Sequence, residues 1–257
     1  RLTLRQLEQY LPGSPEFPKA KLMLGDSFFF QSSPSFPEAE VEYTSFLNYF
    51  PRHELRDYAL YHRALCHFSS IESAERDQTE TRKALEGFQQ LLAESPGSPY
   101  AGEAKAKVVQ CWRRIAEHEL VVGVFYVNVY YYPGAEQRLK ALLETYPDYV
   151  DRERAYFYLG EAMRQRLLSR EEVAQYEKDY AAKLQKEDLK TLTREQGEQF
   201  TKDFTTFTAD RIKSFRDEAR SYYQKLVESY PGSEWARRAA DRLVTMGADG
   251  VKEELDS

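Results

Sequence analysis

The sequence predicts an all-helical repeat protein, a row of helix pairs stacked side by side. Three observations carry this. Five prolines, Pro12, Pro51, Pro96, Pro147 and Pro231, stand at the same place in a recurring pattern of alanines and apolar residues. Helix formers dominate, with only 12 Gly and 11 Pro in 257 residues to interrupt them. The spacing around each proline follows a helical period, not the alternation of a strand.

The pattern is detailed. Eight residues after each proline comes an alanine: Ala20, Ala59, Ala104, Ala155 and Ala239. Twelve before each of the last four is another: Ala39, Ala84, Ala135 and Ala219. Eight before lie Tyr43, Phe88, Leu139 and Tyr223; five and four before lie Phe46/Leu47, Leu91/Leu92, Leu142/Leu143 and Leu226/Val227. Thirteen after sit small or short residues, Gly25, Ala64, Val109, Gly160 and Val244. These offsets trace one stripe of a helix. The proline ends that helix by keeping the residue before it out of helical geometry. A second helix follows, its alanine placed where two helices approach closely. The arrangement is a tetratricopeptide-like α-solenoid of about five helix pairs, in which one pair cannot bury its own face and neighbours must stack.

Taken in order, the chain reads helix, proline turn, helix throughout. Residues 69–78 form a polar loop, with Asp77 expected to cap the next helix and Glu80 three residues on. Ser98 to about Asn128 is one long helix or two abutting ones. The proline spacings of 39, 45, 51 and 84 exceed the ideal repeat of about 34 residues. The largest excess, residues 169–213, is a helical insertion between the two helices of a late unit. Ser169 with Glu172 and Thr193 with Gln196 have the spacing of capping boxes. Val173, Tyr176, Tyr180 and Leu184 make one apolar stripe, and Phe200, Phe204 and Phe207 another. The insertion is two helices or one interrupted helix, either covering part of the groove or serving as a docking element. The expected organisation is a single repeat domain over residues 1–257. N-terminal repeats occupy about 1–96, C-terminal repeats about 97–246, and a tail 247–257.

The formal net charge of −6 argues against nucleic acid as the main partner. No apolar run reaches the roughly 20 residues of a membrane helix. The first residue is Arg1, so a removed leader or a trimmed chain is expected. Cys66 and Cys111, the two cysteines, read as free buried thiols. His118-Glu119 could open a zinc motif, but Val122 stands where its second histidine belongs. His62 and His67 are five apart, which is the wrong helical spacing for a metal pair. No catalytic, cofactor or metal site is expected.

Aromatic residues are abundant, with 19 Tyr and 15 Phe. Phe28, Phe29, Phe30, Tyr58, Tyr61, Phe68, Tyr126, Tyr130, Tyr131, Tyr132, Tyr156 and Tyr158 lie on or beside the first helices of units. They either fill the core or form a Tyr-rich wall for extended or helical peptides. Tyr58, Tyr61, Tyr126, Tyr130 and Tyr131 are the candidates for partner binding.

Pro51 to Pro147 carries more than a generic repeat. In order come Asp57-Tyr58-Ala59 and Tyr61; Arg76-Asp77-Gln78-Thr79; and Ser95-Pro96-Gly97-Ser98-Pro99-Tyr100-Ala101. Then follow Ile115-Ala116-Glu117-His118-Glu119, Val122-Gly123-Val124-Phe125-Tyr126, Ala135, Arg138 and Tyr146-Pro147-Asp148. This order resembles the BamD, or ComL-type, lipoprotein family, the tetratricopeptide subunits of the outer-membrane β-barrel assembly machine. The resemblance covers roughly residues 10–165 and again 215–245.

The resemblance implies a periplasmic scaffold lipid-anchored to the outer membrane. Its N-terminal repeats would receive unfolded outer-membrane proteins, and its C-terminal repeats would dock the POTRA domain of the barrel subunit. By the same resemblance Arg138 lies on the face meeting that subunit, where a guanidinium can pair with a carboxylate; the alternative is an ordinary surface arginine. Tyr130-Tyr131-Tyr132-Pro133-Gly134 departs from the family's polar turn, and the 169–213 insertion is longer than the family's loop. A second function class, a periplasmic adaptor for cell-envelope or division proteins, would be marked by a coiled coil before residues 1–11.

Overall fold

The structure, a computed structural model, describes residues 16–186 and 188–255. Ten α-helices follow one another, and no strand occurs among the described residues. They are α1 (Phe17–Phe29), α2 (Phe36–Tyr49), α3 (Arg56–Ser69), α4 (Thr79–Glu94), α5 (Ala101–Asn128), α6 (Tyr132–Thr145), α7 (Arg152–Gln165), α8 (Arg170–Lys183), α9 (Arg194–Ser229) and α10 (Glu234–Leu255). A 3₁₀ turn, Leu189–Thr191, joins α8 to α9. The chain is a tetratricopeptide-like α-solenoid, as its periodicity predicts. It divides into two compact units, Arg1–His118 and Glu119–Ser257, and the division falls within α5. Pro12 and residues 1–11 lie outside the described residues.

The proline punctuation acts as predicted. Helices α2, α4, α6 and α9 end on Phe50, Ser95, Tyr146 and Tyr230, the residues before the four described prolines. Their φ/ψ pairs nearly coincide: −126/59, −138/65, −121/68 and −133/53. Each donates its N–H to the carbonyl four residues back, on Phe46, Leu91, Leu142 and Leu226. Each then accepts from the residue three on, His53, Ser98, Tyr149 and Ser233, at 3.0–3.1 Å. The same turn is thus built four times. Only the last needs a left-handed glycine, Gly232 at φ +89°. Prolines also start helices. Pro18, Pro37 and Pro133 sit in the first turns of α1, α2 and α6, where their missing N–H costs nothing.

The alanines meet neighbouring helices as the repeat requires. Ala20, Ala59, Ala104, Ala155 and Ala239 are buried, as are Ala39, Ala84, Ala135 and Ala219. Tyr43, Phe88, Leu139 and Tyr223, eight before the prolines, are fully covered. Burying each large side chain contributes about 1.5–3 kcal/mol. The small residues thirteen after a proline face these large ones in two repeats. A methyl added at Gly25 would lie 2.8 Å from the Tyr43 ring, and one at Gly160 would lie 2.4 Å from the Tyr223 ring. Val109 and Val244 break that part of the pattern, since both are exposed. Within the first unit α2 packs on α1 and α3, and α3 on α4. Within the second, α7 packs on α6, α9 and α10.

Several readings are corrected or sharpened. Asp77 accepts from the Thr79 N–H, the first amide of α4, at 2.8 Å, one position further back than expected of the residue before the helix, since Gln78 stands there and makes no side-chain cap. Glu80 turns instead to His67 and Lys83. Residues 101–128 are one helix, with no breaker strong enough to split it. Both capping boxes of the insertion form, at Ser169/Glu172 and Thr193/Gln196. The insertion's second helix does not stop at residue 213. It continues as the repeat helix of its unit to Ser229, because no proline or glycine intervenes after Gly197. The two stripes meet: Tyr176 stacks on Phe207 at 4.3 Å, and Tyr180 presents an edge to Phe200 at 5.0 Å. Helix α10 runs on to Leu255, through most of the residues read as a tail.

Both cysteines are free and buried. Burial pushes the Cys66 thiol up to about 12 and Cys111 to about 11, so neither is a ready nucleophile at neutral pH. No helix is long and apolar enough to cross a membrane, among the described residues.

Candidate functional site

The candidate residues fall into one group in each unit. In the second unit, Tyr126 lies near the end of α5, and Tyr130 and Tyr131 form the turn into α6. Helix α5 ends where Tyr130 takes a left-handed conformation, φ 63°, uncommon for an aromatic residue. The Tyr131 N–H returns to the Tyr126 carbonyl at 2.8 Å. The two rings meet edge to face at 5.3 Å. Gly134 makes the close turn possible: a methyl there would sit 2.3 Å from the Tyr131 ring. The outcome is an outward-facing aromatic turn. Tyr130 is 76% exposed, Phe125 57% and Tyr131 55%, with Val129 beside them also exposed. Tyr126 is half-buried beneath Tyr131. Phe125 belongs to a motif that carries the family resemblance but is not among the expected binding residues, and Val129 carries no motif; their signal is a helix whose apolar residues run past its buried face.

Arg138, on α6, is half-buried and pairs with Glu119 of α5. One of its terminal nitrogens donates to both carboxylate oxygens at 3.0 and 3.1 Å. Glu119, which the sequence offers as part of a failed zinc motif and of a motif carrying the family resemblance, is buried. The arginine's ion pair is with Glu119 and not with the tyrosines, so a partner's carboxylate would share or displace an existing contact.

The first unit holds Tyr58 and Tyr61 on α3, around His62. The Tyr58 hydroxyl donates to Asp26 of α1 at 2.8 Å, and Tyr43 of α2 donates to the same oxygen at 2.7 Å. Tyr61 is buried; its ring stacks on Tyr100 at 4.8 Å and its hydroxyl donates to Glu103. Burial and then the neighbouring carboxylate push both hydroxyls well above the ordinary tyrosine range, so they stay protonated donors. The His62 ring lies on Tyr58 at 4.0 Å, and Nδ1 is 3.0 Å from the Tyr58 carbonyl. Phe29, Phe30 and Tyr100 complete the surround within 6.2 Å. Sequence reasoning found Tyr58 and Tyr61 but not Asp26, His62, Tyr100 or Glu103, because only folding brings α1, α3 and α5 together. Of the remaining aromatics, Phe28 and Tyr156 are core residues, and Phe30 is exposed.

Among the described residues no group of His, Cys, Asp and Glu could hold a metal ion. The arrangement offers surfaces and hydrogen-bond donors for binding.

Comparison with known proteins bears on the fold and the family. A tetratricopeptide-repeat model matches residues 216–233, the second half of α9 and the turn after it. Relatives named outer membrane protein assembly factor BamD share 27% identity with the chain in Caulobacter vibrioides, over 62% of this chain and 51% of that protein. In Vibrio cholerae the identity is 32%, over 43% and 49%. In Haemophilus influenzae it is 30%, over 46% and 49%. The chain thus spans about half the length of these relatives. The family model described as YfiO, outer membrane lipoprotein, matches residues 1–184, most of the chain, and the protein belongs to that family.

Proposed function

We infer that this chain is a non-enzymatic scaffold of outer-membrane β-barrel assembly. It docks the POTRA domain of the barrel subunit through its second unit and receives unfolded outer-membrane proteins through its first. Lipid anchoring at the periplasmic face of the outer membrane belongs to the same reading. The observation that carries the docking is the aromatic turn at Phe125, Tyr130 and Tyr131, held outward on the preformed α5–α6 corner. Large, stiff aromatic side chains give much contact area for little lost freedom, which suits the centre of an interface. Arg138, close by in the chain, supplies a charge that orients the partner. Client binding would be modest in affinity, from groove aromatics and backbone pairing.

A pull-down of the full chain with isolated POTRA domains tests this. Retention by the native chain and loss in the Tyr130→Ser/Tyr131→Ser double variant is expected. No retention by the native chain would overturn the docking assignment.

A further inference from the structure

We propose that a cleft between the end of α3 and the middle of α5 binds an extended client segment in which an acidic side chain stands two residues from a large apolar one. This rests on the reading of the first unit as the receiver of clients, and it names the feature that the unit selects.

The cleft has a volume of about 390 Å³, and its lining residues all belong to the first unit. Phe68, near the end of α3, and Ile71, just after it, supply an apolar lining. Both are only half-buried, so solvent still reaches apolar surface that an occupant's side chain would cover. Gln110, Arg113, Arg114 and Glu117 line the cleft from α5, at a spacing that puts them on one stripe of the helix.

The charges on that stripe are not balanced. Arg114 is paired with Glu117 at 3.0 Å and lies in the field of Glu75 as well. Arg113 is exposed and makes no ion pair among the described residues. Lys107, on the same helix, holds its ammonium 4.0 Å from the centroid of the Phe68 ring and also has no carboxylate partner among the described residues. The ring's attraction for the cation keeps that charge beside the cleft. Two cations without counter-ions thus border an apolar lining, in a chain whose net charge is −6.

This pairing of features selects an occupant. A purely apolar segment would cover Arg113 and Lys107 without pairing them, which costs free energy. A bare anion would leave Phe68 and Ile71 in water, and a basic segment would meet like charge. A carboxylate joined to a large apolar side chain answers both features. In an extended segment, residues two apart share a face, so one can reach Arg113 while the other lies on Phe68 and Ile71. A guanidinium can take both oxygens of the carboxylate.

The test uses the full chain with ¹³C-labelled isoleucine methyl groups. The isoleucines are Ile71 in the cleft, Ile115 in the core of the first unit and Ile212 on α9. The probe is acetyl-Ser-Phe-Ser-Glu-Ser-Phe-Ser-amide, with one control in which Gln replaces Glu and another in which Ala replaces both Phe. The expected result is a saturable shift of the Ile71 methyl with the Glu peptide, with Ile212 unmoved. Binding should be about three- to fivefold weaker with the Gln peptide, the size expected of an exposed ion pair, and should not saturate with the Ala peptide. Arg113→Glu should weaken binding of the Glu peptide at least about fivefold while the Ile115 and Ile212 resonances stay in place, which shows the fold intact. No response to the Glu peptide, equal affinity for the Gln peptide, or equal affinity in Arg113→Glu overturns the proposal. So does an Ile71 shift caused by phosphatidylglycerol vesicles and not by the Glu peptide, which would assign the cleft to a lipid surface. Capture of an unfolded β-barrel protein by the same native chain is measured in parallel. Capture that persists while the peptide fails overturns this cleft alone, and loss of both overturns the client-receiving reading with it.

Discussion

Glu161 shows how a single side chain holds a repeat array together. It is a buried carboxylate on α7 that accepts from Tyr223 of α9 at 2.6 Å and from Arg242 of α10 at 2.7 Å, with Arg164 at 3.0 Å. Burial pushes its carboxyl up, but the hydrogen bonds from Arg164, Tyr223 and Arg242 outweigh that and hold it below the usual range. Tyr223→Phe removes one donor and should cost about 1–2 kcal/mol in denaturant unfolding. The Arg138–Glu119 pair is a second case, in which structure and function are separable. Arg138→Leu leaves a buried carboxylate unpaired, and with Arg138 partly exposed the cost should be about 1–3 kcal/mol. The Glu119→Gln/Arg138→Leu double variant should recover most of that stability. If POTRA binding stays lost in the double variant, the arginine meets the partner directly; if it returns, its role is in the fold. Burial of His62 makes the first unit sensitive to acid. Its folded value lies below 6.5, so the folded state binds fewer protons there. Its contribution is present above pH 6.5 and is lost as the pH falls from that value through the lowered one. Thermal melts from pH 7 to pH 5 should show a smaller drop for His62→Phe than for the native chain.

At the scale of the helix, the two insertion caps carry a clear expectation. Ser169 and Thr193 each accept from the backbone three residues on, and Ser169→Ala or Thr193→Ala should cost about 1 kcal/mol. Hydrogen exchange in the first turns of α8 and α9 should rise accordingly. Gly160 tests the helix contact: Gly160→Ala drives a methyl into the Tyr223 ring and should destabilise by about 1–3 kcal/mol despite alanine's better helix propensity. These elements were legible in the sequence because they depend on local spacing. The proline turns, the alanine contacts and both capping boxes follow from offsets of a few residues. What was not legible depends on competition between distant groups. Asp77 and Glu80 form no reciprocal capping box, since Glu80 bonds His67 on another helix and Lys83. The insertion's second helix merges with the repeat because nothing after Gly197 stops it, and an offset pattern marks where a stripe ends, not where a helix must. Likewise Tyr58 and Tyr61 were recognisable as aromatics of a first helix, but the acceptor carboxylates Asp26 and Glu103 come from α1 and α5.

Across the whole chain, one turn geometry used four times gives each unit its packed core and leaves a few aromatic side chains outside it. The family match over residues 1–184 includes α8, and with the repeat match at 216–233 it leaves residues 185–215, the turn after α8 and the first part of α9, outside both. The central claim, that the stacked pairs serve as a scaffold for barrel assembly, is tested most directly in cells. Depletion of this protein, followed by measurement of folded β-barrel proteins in the outer membrane, should show their loss. Restoration should follow from the native chain and not from Tyr130→Ser/Tyr131→Ser at equal abundance. Undiminished barrel assembly after depletion would contradict the account.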